Sequence, residues 1–271
     1  MKRLSTLFLT CLLAFSLLGV SPWGSGGEWG SGKWGRSDYF PGFNPGDIVG
    51  LTLWLDSGYG VTYDESNRVT AWADRSGTVG NTTAAGAGCP LYSTTDVVNG
   101  RPALYFVTND YMTIPQLFTD ITEVTAFMVI KLDNTTTDCR PLGYDDDGGL
   151  LRLRFNYSVA DRVYWYTYDG GYKSHCWPNA GVTNWHIWTI TIKEDDNLRG
   201  YGDGVEAALS PTAVGTLAET GISTARRIGA DGGGNYMPGY IAEVIIYSRL
   251  LSADERSKVD TYLSNKYGIT I

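Results

Sequence analysis

Five aromatic side chains form the most chemically suggestive constellation in the sequence. Tyr164, Tyr166 and Tyr168 alternate along one run, and Tyr172 and Trp177 follow across the turn signal Asp169-Gly170-Gly171. Alternate residues of an extended chain stand on one face, and a Gly-containing turn of this kind joins two antiparallel strands. Flat rings in a row can stack against sugar rings while their hydroxyls bond to sugar edges. Cross-strand aromatic packing within a sheet uses the same pattern, and both readings fit. A second constellation is acidic. Asp145-Asp146-Asp147-Gly148-Gly149 offers a loop the carboxylates and carbonyls that calcium takes. Its spacing is not that of an EF-hand loop, and a solvated hairpin turn is its expected state. Calcium is the one cofactor the sequence leaves open.

Catalytic chemistry finds less support. His175 and His186 are the two histidines, and they form no metal-binding motif. His186 lies beside Trp185 in an apolar run and reads as a packed side chain. There is no Gly-x-Ser-x-Gly elbow. Glycoside hydrolysis needs a pair of carboxylates across one cleft. Glu243 stands alone in its run and Glu194-Asp195-Asp196 sits at the end of another, so a rim charge and a solvated turn are the expected readings. Gly30-Ser31-Gly32-Lys33-Trp34-Gly35 matches a dinucleotide-binding pattern, and Gly27 to Lys33 approaches a P-loop. Neither follows a strand or opens a helix, so the phosphate cradle does not form.

The elements that carry these residues are short strands. Leu51 to Asp56, Arg68 to Trp72, Ala103 to Val107, Val124 to Leu132, Leu150 to Tyr157, Val163 to Tyr168 and Trp185 to Lys193 have strand composition. Asp203-Gly204 marks a tight hairpin. Ile241 to Tyr247 is apolar on both faces, with Ala242, Val244 and Ile246 on one and Ile241, Glu243, Ile245 and Tyr247 on the other. This predicts a strand inside a sandwich. Ser252 with Glu255 forms a capping box, Val259, Tyr262, Leu263 and Tyr267 make an apolar stripe, and Gly268 supplies a left-handed stop. This predicts a short C-terminal helix docked on the sandwich.

Two segments precede this pattern. Residues 1–20 carry Lys2 and Arg3 before an apolar run from Leu7 to Val20, the layout of a secretory signal peptide; an uncleaved apolar arm packed on a neighbouring subunit is the other reading. Residues 21–45 hold Trp23, Trp29 and Trp34, each followed by glycine, among further Gly and Ser. They form a flexible linker or an arm that lays its aromatic rings on a partner. Cys89, Cys139 and Cys176 follow the leader, with no C-x-x-C. They make either one disulfide, with Cys139–Cys176 the favoured pair, or three reduced thiols. The formal net charge of −8 gives no broad electrostatic footprint for nucleic acid.

Residues 46–271 resemble the laminin-G-like, concanavalin A-like jelly-roll family. The resemblance lies in Leu53-Trp54-Leu55-Asp56, Val69-Thr70-Ala71-Trp72-Ala73-Asp74-Arg75-Ser76-Gly77, Asn99 to Phe106, Trp185 to Ile190, Tyr201 to Val205 and the closing Gly239 to Gly268. It implies an all-β, concanavalin A-like jelly-roll β-sandwich with a short C-terminal helix. Glucanases on this sandwich use a Glu-x-Asp-x-Glu strand, which is absent here. The expectation is therefore a non-catalytic, secreted or extracellular surface-binding or adhesion module, with a glycan or other cell-surface polymer as partner. The alternative is a structural or decoration protein of a phage virion, tail or other extracellular assembly. There the arm with Trp23, Trp29 and Trp34 would dock on neighbouring subunits. A carbohydrate-active enzyme of another type is a third, weaker expectation.

Overall fold

The closing strand organises the protein. The computed structural model describes residues 42–84, 86–115, 117, 122–144, 151–168, 172–208, 212–215 and 226–271. Within them Gly239–Tyr247 is a strand buried along its whole length. Glu123–Leu132 pairs with one edge of it; Arg101–Phe106 and Leu51–Asp56 share the other. Leu91–Val98 extends this sheet on one side, and His186–Lys193, Asn197–Gly202 and Val205–Glu206 on the other. The second sheet runs Tyr172–Pro178, Arg162–Tyr168, Arg152–Phe155, Cys139–Tyr144, Arg226–Ile228, Met112–Ile114, Thr82–Thr83, Val69–Trp72 and Val61–Tyr63. Both sheets are antiparallel throughout, and together they make the jelly-roll sandwich.

Two cores explain why the closing strand is apolar on both faces. Leu55, Trp72, Phe106, Phe155, Trp165 and Ile246 fill the space between the sheets. On the other side of the first sheet, Trp54, Phe127, Ile245 and Tyr247 pack against Val259, Tyr262, Leu263 and Tyr267 of the helix Ala253–Tyr267. Burying each such side chain contributes about 1.5–3 kcal/mol. The helix begins as its sequence requires: Ser252 accepts from the Glu255 N–H, and Glu255 accepts from the Ser252 N–H. Gly268 closes it at φ 66°, a conformation in which glycine has no steric penalty.

Two expectations are corrected. The alternation along the closing strand is broken by a bulge between Ile241 and Glu243. An extra residue there shifts the phase, so Ile241 joins Val244 and Ile246 between the sheets while Ala242 turns toward the helix. The Cys139–Cys176 disulfide does not form; Cys89, Cys139 and Cys176 are free thiols. Cys139 is paired with Phe155 and Cys176 with Tyr164, with two strands between their own. Three strand spacings come to about 14 Å, and a disulfide needs Cα atoms closer than about 7 Å.

Candidate functional site

Tyr164 and Tyr166 stand on the outward face of the second sheet. In the strand Arg162–Tyr168, Val163 and Trp165 point into the sheet-to-sheet core. Tyr164 and Tyr166 therefore point away from it. Trp165 fixes this phase. Its ring lies so close over Gly200 that a Cβ there would come within 2.1 Å of it, and it meets Trp188 edge-on at 6.0 Å. A one-residue slip would turn the indole out and the phenols in, so core packing sets the face that the phenols take.

The outward rings form a continuous row. Tyr164 and Tyr166 are stacked with centroids 5.7 Å apart, and Tyr157 meets Tyr164 edge-on at 6.0 Å. Tyr157 is 42% exposed, whereas Tyr164 is buried between its neighbours. The Arg154 guanidinium lies 3.4 Å from the Tyr157 ring centroid. It is held there by a two-bond fork to Asp138, Nε to Oδ1 at 2.8 Å and Nη2 to Oδ2 at 2.5 Å. Burial opposes the charge on Arg154, but the Asp138 bonds and charge outweigh it and raise its pKa. Burial pushes the Tyr166 phenol up to about 12, so it is a neutral donor and acceptor at physiological pH. The row is a shallow, neutral aromatic shelf with a clamped cation at one end.

Tyr164 and Tyr166 share the row. Tyr168 and Tyr172 are register partners at the hairpin end, and the connecting residues 169–171 lie outside the described residues. Trp177 does not join the row. It pairs with the inward-facing Val163 and packs edge-on against Trp188 at 6.3 Å, on the core side. Tyr157 joins the row although it was not among the expected residues: the sequence placed it at the end of a strand from Leu150, whereas the strand is Arg152–Phe155 and Tyr157 follows it in a loop. Asp145, Asp146 and Asp147, the calcium candidates, lie outside the described residues, as do Trp23, Trp29 and Trp34. Among the described residues no group of three or more His, Cys, Asp or Glu side chains is placed to hold a metal ion.

Glu243 is the main correction. It is not a rim charge but is fully buried under the helix. Its Oε1 accepts from Trp54 Nε1 at 2.6 Å and from the Tyr262 hydroxyl at 3.2 Å. Its Oε2 accepts from Lys266 Nζ at 2.6 Å and from the Tyr267 hydroxyl at 2.7 Å. Lys266 also reaches Asp56 Oδ2 at 2.8 Å, which Arg75 contacts at 2.5 Å. Burial pushes the Glu243 carboxyl up, and Lys266 offsets this only in part because the Asp56 charge adds to it. Asp56 suffers the same burial but has two cations, and its pKa is lowered. The pair is sealed by the helix and internally satisfied, an arrangement that fastens the helix and leaves neither carboxylate for a substrate.

A cleft of about 480 Å³ beside this network is lined by Asn44, Ile48, Trp54, Tyr59, Arg75 and Ser76. Asp74 builds its rim, accepting from the N–H groups of Trp54, Ser76 and Val79, and so directs Arg75 over Trp54 at 3.8 Å. The indole is buried beneath that guanidinium, while the exposed Tyr59 ring lies 4.8 Å from the same guanidinium at the mouth of the cleft. His186 is not merely packed. Its Nδ1 is 2.6 Å from Asp203 Oδ2 and its Nε2 is 3.1 Å from the Gly181 carbonyl. Two acceptors favour the doubly protonated ring; burial works against it, but Asp203 prevails and raises the pKa.

A family model described as the concanavalin A-like lectin/glucanases superfamily matches residues 106–255. No curated protein matches the sequence. Among solved structures, domain 4 of an extracellular arabinanase from Geobacillus stearothermophilus, in complex with arabinotriose, aligns with TM-score 0.54 and 13% identity over 78% of this chain and 98% of that one. The binding domain of botulinum neurotoxin serotype D aligns with TM-score 0.55 and 16% identity over 78% of this chain and 50% of that one. The binding domain of botulinum neurotoxin DC in complex with SialylT aligns with TM-score 0.54 and 11% identity over 82% of this chain and 52% of that one. The chain thus spans about half the length of the toxin binding domains it matches.

Proposed function

We propose that this chain, which belongs to the concanavalin A-like lectin/glucanase superfamily, is a non-catalytic glycan-binding module that works outside the cytoplasm. The observation that carries the reading is the outward row of Tyr157, Tyr164 and Tyr166, ordered by core packing behind it and by Arg154 beside it. Sugar rings have apolar faces and hydroxylated edges, which a row of neutral phenols matches with both ring surface and hydrogen-bonding capacity. Rigid aromatic side chains lose little rotamer freedom on binding, which favours recognition on a shallow surface. The structural neighbours support the reading: one is an arabinanase domain holding arabinotriose, and others are toxin binding domains. The sealed Glu243–Asp56 pair supports a role without catalysis. A glycan array probed with the wild type and with Tyr166→Ala tests this function. Binding to a defined glycan set, lost or weakened by the substitution, supports it; no binding to any glycan refutes it.

A further inference from the structure

Resting on that glycan-binding reading, we infer that the sugar taken by this face is anionic and that the Arg162 guanidinium receives its carboxylate or sulfate group. Arg162 opens the strand that carries Tyr164 and Tyr166. Its Nη1 donates to the Tyr164 hydroxyl at 3.2 Å, and its guanidinium carbon lies 5.8 Å from the Tyr164 ring centroid. Its Nε is buried with no hydrogen-bond partner. Other arginines of the protein are matched to carboxylates: Arg75 to Asp56, Arg140 to Asp231, Arg154 to Asp138, Arg199 to Glu206 and Arg249 to Glu255. Arg162 meets no carboxylate among the described residues, and a neutral phenol is its side-chain partner.

That difference decides the chemistry. A guanidinium is permanently charged and presents a planar fork that fits carboxylate or sulfate oxygens. Arg154 already has its charge matched by the Asp138 carboxylate, which takes its Nε and Nη2 donors. Arg162 spends Nη1 on a phenol and not on a carboxylate, so its terminal Nη groups, unlike the buried Nε, retain donors for an incoming anion, and it sits against the same Tyr164 ring that Tyr157 touches. A sugar stacked along the row would bring a ring substituent within reach of it. The protein's net charge of −8 opposes an anionic ligand at long range, but salt screens that repulsion within about 10 Å at 0.1 M. A direct charge-assisted contact survives such screening.

The test measures affinities of the full chain for matched probes: lactose, sialyllactose and sulfated lactose, and oligogalacturonate with its methyl-esterified form, backed by an array of neutral and acidic glycans. The wild type is expected to prefer the anionic member of a pair by about tenfold or more. Arg162→Gln should bring that ratio to about one, and Arg162→Lys, which keeps the charge without the fork, should fall between. The carboxylated and sulfated arms distinguish the two anions. Binding to neutral glycans alone, or an anionic preference that Arg162→Gln leaves intact, overturns the inference while the glycan-binding reading stands. No binding to any glycan overturns both. A melting curve for each variant separates lost recognition from lost folding, and Arg162→Lys provides the comparison if Arg162→Gln does not fold.

Discussion

Replacing Lys266 by methionine is expected to destabilise the protein by about 3–5 kcal/mol, the cost of removing one partner from a buried ion pair. The side chain is 5% exposed, so it is a core group carrying a charge. Its ammonium bonds Glu243 at 2.6 Å, Asp56 at 2.8 Å and the Tyr262 hydroxyl at 3.1 Å. Methionine fills much of the same volume, so the loss isolates the charge rather than a cavity. Asp56 would keep Arg75, but Glu243 would keep only the Trp54, Tyr262 and Tyr267 donors. Burial already pushes the Glu243 carboxyl up, and losing Lys266 would raise it further. A carboxylate whose folded pKa lies above its unfolded value stabilises the fold below the unfolded pKa and loses that contribution as pH rises through the folded one. The deficit of Lys266→Met should therefore be larger at pH 8 than at pH 5. Urea denaturation at both pH values measures it, and thermal melts should fall by roughly 6–20 °C for a domain of this size. Adding Glu243→Gln removes the orphaned charge while keeping hydrogen bonds from its neighbours, so the double variant should recover more than half of the loss. A deficit below about 1 kcal/mol, typical of exposed ion pairs, would refute the buried network as the fastening of the helix.

Other perturbations test other parts of the fold. Burial pushes Asp260 from 3.8 up to about 7, with Arg256 and the Thr189 hydroxyl offsetting it in part and Asp203 adding to it. By the same sign rule its contribution is present below about pH 4 and lost as pH rises to about 7. Holding it ionised in place corresponds to ~4 kcal/mol, so Asp260→Asn should flatten the decline between pH 4 and 7 and raise stability at pH 8; equal pH profiles for the two proteins would contradict this. Gly200→Ala would drive a methyl group into the Trp165 ring, and an overpacking loss of about 1–3 kcal/mol is expected in denaturant titrations. Cys89, Cys139 and Cys176 should each react with a thiol reagent in denaturant without prior reduction. In the folded protein the partly exposed Cys176 should react first, while burial pushes the Cys139 thiol up and protects it.

The parts that were legible in the sequence are those whose signals are local. The capping box at Ser252 and Glu255, the stop at Gly268 and the Asp203-Gly204 turn depend on neighbouring residues, and each forms as its spacing requires. Long strands such as Glu123–Leu132 declare themselves by composition. Cys139–Tyr144 does not, because Pro141 and Gly143 disguise it, and Arg226–Ile228 opens with two arginines. The bulge at Ile241–Glu243 leaves no local mark, so the faces before it were misread. Glu243 was read as a rim charge because its partners come from Trp54 and from the helix, brought together only by tertiary packing. At the candidate site, alternation correctly placed Tyr164 and Tyr166 side by side. Trp177 went astray because hairpin proximity says nothing about which face a residue takes, and register decides that.

Isothermal titration of a bound oligosaccharide into the wild type, Tyr157→Ala, Tyr166→Ala and Tyr63→Ala tests the outward aromatic row most directly. Tyr63 is 47% exposed but stacks with Tyr92, outside the row, and serves as a control. An aromatic contact of about 0.5–1.5 kcal/mol corresponds to roughly a two- to tenfold change in Kd. The account predicts that weakening for Tyr157→Ala and for Tyr166→Ala, with Tyr63→Ala unchanged. Unchanged affinity in both row variants, or an equal loss in Tyr63→Ala, would contradict it.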